Sequence, residues 1–273
     1  MTTKIEWTEK TWNPITGCSK ISPGCDNCYA ERMSKRLAGR CGYDAERPFK
    51  VTYHPEKLEQ PIKWRKPSMI FACSMGDLFH VDTPIEFIDA VFATMAIANQ
   101  HTYQLLTKRP RLARSYLMDP GTPERIRLAC HQPVDIDTLL QWKWQWPLPN
   151  VWLGVTAENQ EPADKRIPVL LDTPAAVRFV SVEPMLEAIN LKLTYTAPFF
   201  NSGDMTYRKP IDWVICGGET GPGARPMSVE WARDLRGQCY AAHVPFFFKK
   251  VGGGRETPED LLVRQWPEAH DAD

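Results

Sequence analysis

The stretch Asp212-Trp-Val-Ile-Cys216-Gly-Gly-Glu219 decides the fold class. Its apolar residues run without polar alternation, as in a strand buried on both faces. The run stops at two glycines and an acid. The same form recurs along the chain. Met69 to Cys73 stops at Ser74-Met-Gly-Asp77, and Thr102 to Thr107 closes on Lys108-Arg109-Pro110. Val151 to Thr156 leads to Glu158-Asn159, Val177 to Ser181 to Glu183-Pro184, and Pro245 to Lys249 to Lys250. Helical runs alternate with them. Tyr29 to Leu37, Arg111 to Leu117 and Glu161 to Leu171 are predicted helices. Another begins after Thr83-Pro84, with Thr83 as N-cap, and another spans Val229 to Ala242 behind Ser228. Such a βα repeat calls for a parallel sheet. The expected fold is α/β, a complete or partial parallel β/α barrel of the TIM type, with an open doubly wound sheet as the alternative. One barrel domain is expected over residues 1–254, with insertions near 39–67, 119–149 and 187–210. A polar tail, loosely ordered or a lid, is expected over 255–273.

Composition narrows the function classes. The chain has 273 residues, an apolar fraction of 43% and no net charge, so bulk electrostatics gives no reason to bind polyanions. No apolar run approaches the ~20 residues that span a bilayer. The N-terminal Met-Thr-Thr-Lys-Ile-Glu-Trp lacks a signal-peptide core, so a cytoplasmic protein without membrane contact is expected. In that compartment eight cysteines are not a disulfide framework. Five of them, Cys41, Cys73, Cys130, Cys216 and Cys239, are scattered and read as small buried hydrophobes, Cys41 least so.

The other three cluster in Gly17-Cys18-Ser-Lys-Ile-Ser-Pro-Gly24-Cys25-Asp-Asn-Cys28-Tyr29. By composition this is a loop that opens into a helix, where backbone N–H groups and the helix dipole favour anionic groups. A structural zinc site takes four ligands. Three thiolates on a cubic iron–sulfur cluster leave one iron open to a small molecule. Cys18, Cys25 and Cys28 are therefore the candidate metal ligands.

The strand ends supply the remaining candidates, because parallel barrels place their sites there. Ser74, Asp77, Lys108, Glu158, Gly217 and Gly218 are candidate cofactor-binding residues: acceptors for an amine, a cation for a carboxylate or phosphate, acceptors for ribose hydroxyls, and glycines that admit a close ligand. Glu183, Glu219 and Lys249 are the catalytic candidates. His80 is a further candidate for the same site. Trp142, Trp144 and Trp146 alternate as strand positions do and read as packing rather than base-stacking residues. There is no P-loop signature.

The cysteine loop resembles that of the radical S-adenosylmethionine (SAM) enzymes, including the aromatic Tyr29 after the last cysteine. The first gap here is six residues where many of those enzymes have three. The combination of Thr11-Trp-Asn-Pro-Ile-Thr-Gly-Cys18, Ser22-Pro-Gly-Cys-Asp-Asn-Cys-Tyr-Ala-Glu31, Ser74-Met-Gly-Asp-Leu-Phe79, Leu106-Thr-Lys-Arg-Pro110, Trp152-Leu-Gly-Val-Thr-Ala-Glu-Asn159, Phe179-Val-Ser-Val-Glu-Pro184 and Gly217-Gly-Glu-Thr-Gly-Pro-Gly-Ala-Arg-Pro226 resembles the phage-associated three-cysteine-motif family over residues 5–252. That resemblance implies a barrel, a [4Fe–4S] cluster on the three cysteines, SAM as second cofactor, an electron donor, and a partner protein named for the motif. The expected activity is generation of a 5′-deoxyadenosyl radical, with a nucleotide or nucleic acid as substrate. Two alternatives stand beside it. One is a non-catalytic zinc module with Cys41 or a histidine as fourth ligand. The other is a metal-dependent nucleic-acid-processing protein using Asp77, Glu158, Glu183 and Glu219.

Overall fold

The computed structural model describes residues 3–130, 145–193 and 211–267. Trp142, Trp144 and most of the 187–210 insertion lie outside them. The chain divides into two compact units: Met1–Ile21, Cys28–Gly154 and Asp172–Ala176 form the first, and Ser22–Asn27, Val155–Leu171 and Val177–Asp273 the second.

Among the described residues the strands are β1 (Lys10–Trp12), β2 (Ile15–Thr16), β3 (Thr52–Tyr53), β4 (Met69–Ala72), β5 (Thr102–Thr107), β6 (Val151–Thr156), β7 (Val177–Val182), β8 (Trp213–Cys216) and β9 (Phe246–Phe248). The helices are α1 (Tyr29–Arg36), α2 (Ile85–Ile97), α3 (Pro110–Met118), α4 (Thr122–Ala129), α5 (Gln160–Leu171) and α6 (Val229–Ala241). The fold is α/β with a seven-stranded sheet in the order β1-β4-β5-β6-β7-β8-β9, and β2 and β3 form a small antiparallel pair. The order never reverses, so the sheet lacks the switch point of a doubly wound fold.

In the first unit, β1, β4 and β5 pair in parallel, with Trp12 beside Ala72 and Ala72 beside Leu105. The core holds Trp12, Ile70, Tyr103 and Phe92, all buried. Trp12 and Tyr103 lie 5.8 Å apart between ring centroids, and Phe92 and Tyr116 5.2 Å; such aromatic pairs add ~0.5–1.5 kcal/mol each beyond area burial. Trp146 packs on Phe92 at 6.1 Å and donates to the Leu117 carbonyl, a packing role as its sequence suggests. Helix α2 is apolar on most of its circumference and accordingly buried. It starts one residue later than its sequence suggests. Pro84, extended at ψ 144°, occupies the N-cap, and Thr83 has no side-chain capping bond. The Thr83 hydroxyl is buried and finds no hydrogen-bond partner among the described residues.

In the second unit, β7, β8 and β9 pair in parallel. Every residue of β8 and β9 is buried, as their unbroken apolar runs require, and so is every residue of β6, whose Val151–Gly154 belong to the first unit. Ser228 caps α6 by accepting from the Glu230 N–H. The polar C-terminal segment docks along β9: Arg264 bridges to Phe247, Trp213 donates to the Gln265 carbonyl at 2.8 Å, and Leu261 is fully buried. Arg233 of α6 pairs with Asp260. No described helix is long and apolar enough to cross a membrane.

Candidate functional site

In the first unit the chain leaves β2 through Gly17, at φ +83°. A Cβ there would sit 1.9 Å from the Lys50 carbonyl oxygen, so only glycine lets the strands pass. The Gly17 N–H reaches the Met75 carbonyl at 2.9 Å and the Cys18 N–H reaches that of Phe49 at 3.2 Å. Two neighbouring segments therefore fix the backbone of Cys18. Ser74 belongs to one of them. Its hydroxyl and the Met75 N–H both donate to the Asn13 side-chain oxygen, at 3.1 and 2.9 Å. Asn13, from the Trp-Asn-Pro run, thus shapes the turn that holds Gly17.

Asp77 is buried and organises the next layer. Oδ1 accepts from Thr107 Oγ1 at 2.8 Å and the Phe79 N–H at 3.1 Å. Oδ2 accepts from the Lys108 N–H at 3.2 Å and Arg109 Nη1 at 3.0 Å. Each oxygen takes two donors, so the carboxylate serves the network rather than an incoming amine. Arg109 then reaches the cysteine loop. Nη1 donates to Cys18 Sγ at 3.3 Å, and Nη2 donates to the Ser19 carbonyl at 3.0 Å and hydroxyl at 2.8 Å. Burial pushes the Cys18 thiol above its ordinary pKa, and the Arg109 charge and hydrogen bond oppose that rise. The Lys108 ammonium forms no ion pair among the described residues.

His80 lies 2.8 Å from Ser19 Oγ through Nε2, with Asp82 Oδ2 3.6 Å from Nδ1. These atoms resemble a Ser-His-Asp arrangement, but the chemistry differs. Nδ1 accepts the Asp82 backbone N–H at 3.2 Å, so Nε2 carries the ring proton and donates it to Ser19. Such an imidazole cannot take the serine proton. Burial, aided by the Arg109 charge, lowers the His80 pKa and keeps the ring neutral.

Cys28 also belongs to the first unit, at the N-cap of α1. Glu31 in the first turn and Lys35 with Arg36 in the last match the helix dipole, and Glu31 pairs with Lys35 at 2.8 Å and Lys20 at 3.2 Å.

In the second unit, Cys25 ends a 3-10 turn over Pro23–Cys25, with its Sγ 3.7 Å from Ser22 Oγ. Two acid–base pairs hold this segment. The first is Glu158, fully buried, with Arg166 Nη1 2.8 Å from Oε2; Arg166 also donates to the Thr156 carbonyl at 2.8 Å. The other carboxylate oxygen accepts the Gly24 N–H at 3.4 Å. The second pair is Glu219 with Arg225. Glu219 Oε2 accepts from Asn27 Nδ2 at 2.8 Å, the Arg225 N–H at 2.8 Å and Arg225 Nε at 3.0 Å. Arg225 Nη2 bonds Glu219 Oε1 and the Pro23 carbonyl, the latter at 2.9 Å. Burial would raise the Glu219 pKa, but the Arg225 and Asn27 hydrogen bonds outweigh it and hold the carboxyl at about 2. Glu219 therefore acts as a permanent anion that clasps residues 23–27.

Gly217 and Gly218 face protein. A Cβ on Gly218 would lie 1.8 Å from the Val251 carbonyl oxygen, and one on Gly217 would crowd Lys249 and Glu183 at 3.3–3.5 Å. The Gly218 N–H bonds the Lys250 carbonyl at 2.9 Å. These glycines let the loops after β8 and β9 pack together. Lys249 and Glu183 form an ion pair, both only partly exposed.

All eight cysteines are free thiols. Cys73, Cys130, Cys216 and Cys239 are buried, as their sequence contexts suggest, while Cys41 is exposed. Burial lifts the Cys130 and Cys239 thiols to about 11 and about 12 and makes them poor ligands. Cys18, Cys25 and Cys28 are part-exposed. Among the described residues no three His, Cys, Asp or Glu side chains are gathered as a metal ion would gather them. The fit to an iron–sulfur cluster rests on donor chemistry: three accessible soft thiols within one eleven-residue loop, each on a backbone held by its own hydrogen bonds.

A family described as protein of unknown function DUF5131 matches residues 2–267, nearly the whole chain. The chain belongs to that family. No curated protein and no solved structure matches it.

The sequence of this DUF5131 chain marks the acids as candidates but not the bases that hold them. Arg166 and Asn27 are not among the candidates that the sequence offers. The signal for Arg166 and Arg225 is their position: they follow Glu158 and Glu219 by eight and six residues, and a buried acid needs a cation.

Proposed function

We propose that this chain is an iron–sulfur enzyme of the radical SAM type, with Cys18, Cys25 and Cys28 as ligands of a [4Fe–4S] cluster. The observation that carries the reading is the contrast among the cysteines. Cys73, Cys130, Cys216 and Cys239 are buried, whereas the three on the loop are part-exposed and carried on anchored backbone. The parallel sheet with strands in chain order is compatible with a partial β/α barrel, the finer architecture that belongs to this reading. When bound, the cluster supplies the electron that cleaves SAM to a 5′-deoxyadenosyl radical.

The chain's own residues bind and orient. Gly17 and the 74–76 turn hold Cys18; Glu158 and the Glu219–Arg225 clasp hold the segment of Cys25. Lys108 is the cation left for an anionic group of cofactor or substrate, and the Glu183–Lys249 pair is the candidate for proton handling. A nucleotide or nucleic acid is the proposed substrate class, reduced equivalents come from a separate donor, and a cytoplasmic setting suits an oxygen-sensitive cluster. A three-cysteine-motif partner protein belongs to the same proposal.

The test is anaerobic incubation of reconstituted protein with SAM and a strong reductant. Release of 5′-deoxyadenosine and methionine supports the reading. Stoichiometric colourless zinc with no SAM cleavage supports the zinc module instead, and divalent-dependent cleavage of nucleic acid without SAM supports a nuclease.

A further inference from the structure

We infer that Arg109 is the positioning residue for Cys18, a fixed hydrogen-bond donor to the ligand sulfur that tunes the electron affinity of the cluster. The inference rests on the cluster reading above and goes beyond it. Arg109 has not been placed to wait for an anion. Its guanidinium is held from both sides: Asp77 takes Nη1 at 3.0 Å, and the Ser19 carbonyl and hydroxyl take Nη2 at 3.0 and 2.8 Å. Asp77 is itself locked by Thr107 and two backbone N–H groups, and Ser19 by His80. The Arg109 side chain is only 9% exposed. What this frame presents to Cys18 is one N–H, 3.3 Å from Sγ.

A rigid donor that serves a ligand sulfur has a defined electronic effect. Hydrogen bonds to the sulfurs and nearby charge set the potential of an iron–sulfur cluster. A cationic donor stabilises the reduced, more negative cluster and so raises its potential. Lysine at this position keeps the charge but lacks the planar fork that reaches Asp77, Ser19 and Cys18 together.

The test is the midpoint potential of the reconstituted cluster, read by spectroscopic titration, in wild type, Arg109→Gln and Arg109→Lys, with iron content and far-UV circular dichroism as checks of loading and fold. Arg109→Gln is expected to shift the reduced-to-oxidised ratio on the order of tenfold toward oxidised at fixed potential, a move of about 59 mV to more negative values for one electron. Arg109→Lys, folded and loaded, is expected to fall between the two. A merely structural arginine would change loading or stability and leave the potential of the loaded fraction alone. Wild-type potential in the loaded Arg109→Lys and Arg109→Gln proteins overturns the inference and leaves the cluster reading intact. If Arg109→Gln does not fold, the Arg109→Lys potential decides alone. A wild-type protein that takes up no cluster overturns both.

Discussion

The Gly24 N–H points at the Glu158 carboxylate, 3.4 Å from Oε1, and a Cβ on Gly24 would stand 3.0 Å from Glu158 Cδ. One residue of the cysteine loop is therefore fitted to one buried acid at the end of β6. Gly24→Ala is expected to cost about 1–3 kcal/mol through overpacking, since Arg166 keeps the carboxylate from retreating. A double-mutant cycle with Glu158→Ala isolates the contact: the cost of Gly24→Ala should fall once the carboxylate is gone. An equal cost in both backgrounds would show that the contact is not responsible.

Arg166 neutralises a carboxylate that has no exposed surface. Arg166→Ala is expected to destabilise the protein by about 3–5 kcal/mol, the typical cost of stranding one member of a buried pair. Urea unfolding at neutral pH measures it. The double change Arg166→Met with Glu158→Leu should recover most of that loss, because the penalty comes from the stranded charge.

The Glu219 clasp predicts a pH dependence. Its folded pKa, about 2, lies below the ordinary value of 4.5, so its contribution is complete above pH 4.5 and disappears as the pH falls toward 2. Glu219→Gln removes that linkage. The variant should be less stable than wild type at pH 7, and its stability should fall less steeply between pH 4.5 and 2. Parallel acid limbs for the two proteins would contradict the assignment.

Leu261 anchors the C-terminal segment beside β9. Leu261→Ala should cost about 2–5 kcal/mol, as for other fully buried leucines. A loss below ~0.5 kcal/mol would mean that the segment contributes nothing to the folded state.

Much of this structure was legible in the sequence because burial writes itself as apolar runs. The strands Val151–Thr156 and Trp213–Cys216 are buried on both faces and read that way at sight. Ser228 before Val229 gave a cap that the structure contains. Thr83 gave one that it does not, because proline at position 84 stays extended and displaces the helix start. The strand-end acids were legible as a set, but their roles were not. Whether Glu219 or Asp77 waits for a ligand or is already saturated depends on Arg225, Asn27, Thr107 and Arg109, which propensity does not connect to them. Gly218 shows the same limit: sequence announces a close approach, and only coordinates show that Val251 makes it. The polar C-terminal segment reads as a loosely ordered tail or a lid because its anchors, Leu261, Gln265 and Trp266, are single residues rather than a periodic face.

The central claim is that the three loop cysteines hold an iron–sulfur cluster, and the most direct measurement is iron and acid-labile sulfide per chain after anaerobic reconstitution of wild type and Cys28→Ala. The account predicts about four of each in wild type, with visible absorbance that reductant bleaches, and a large loss in Cys28→Ala while the circular dichroism of the fold is retained. A colourless wild-type protein without iron, or a Cys28→Ala protein that loads and cleaves SAM as wild type does, would contradict it.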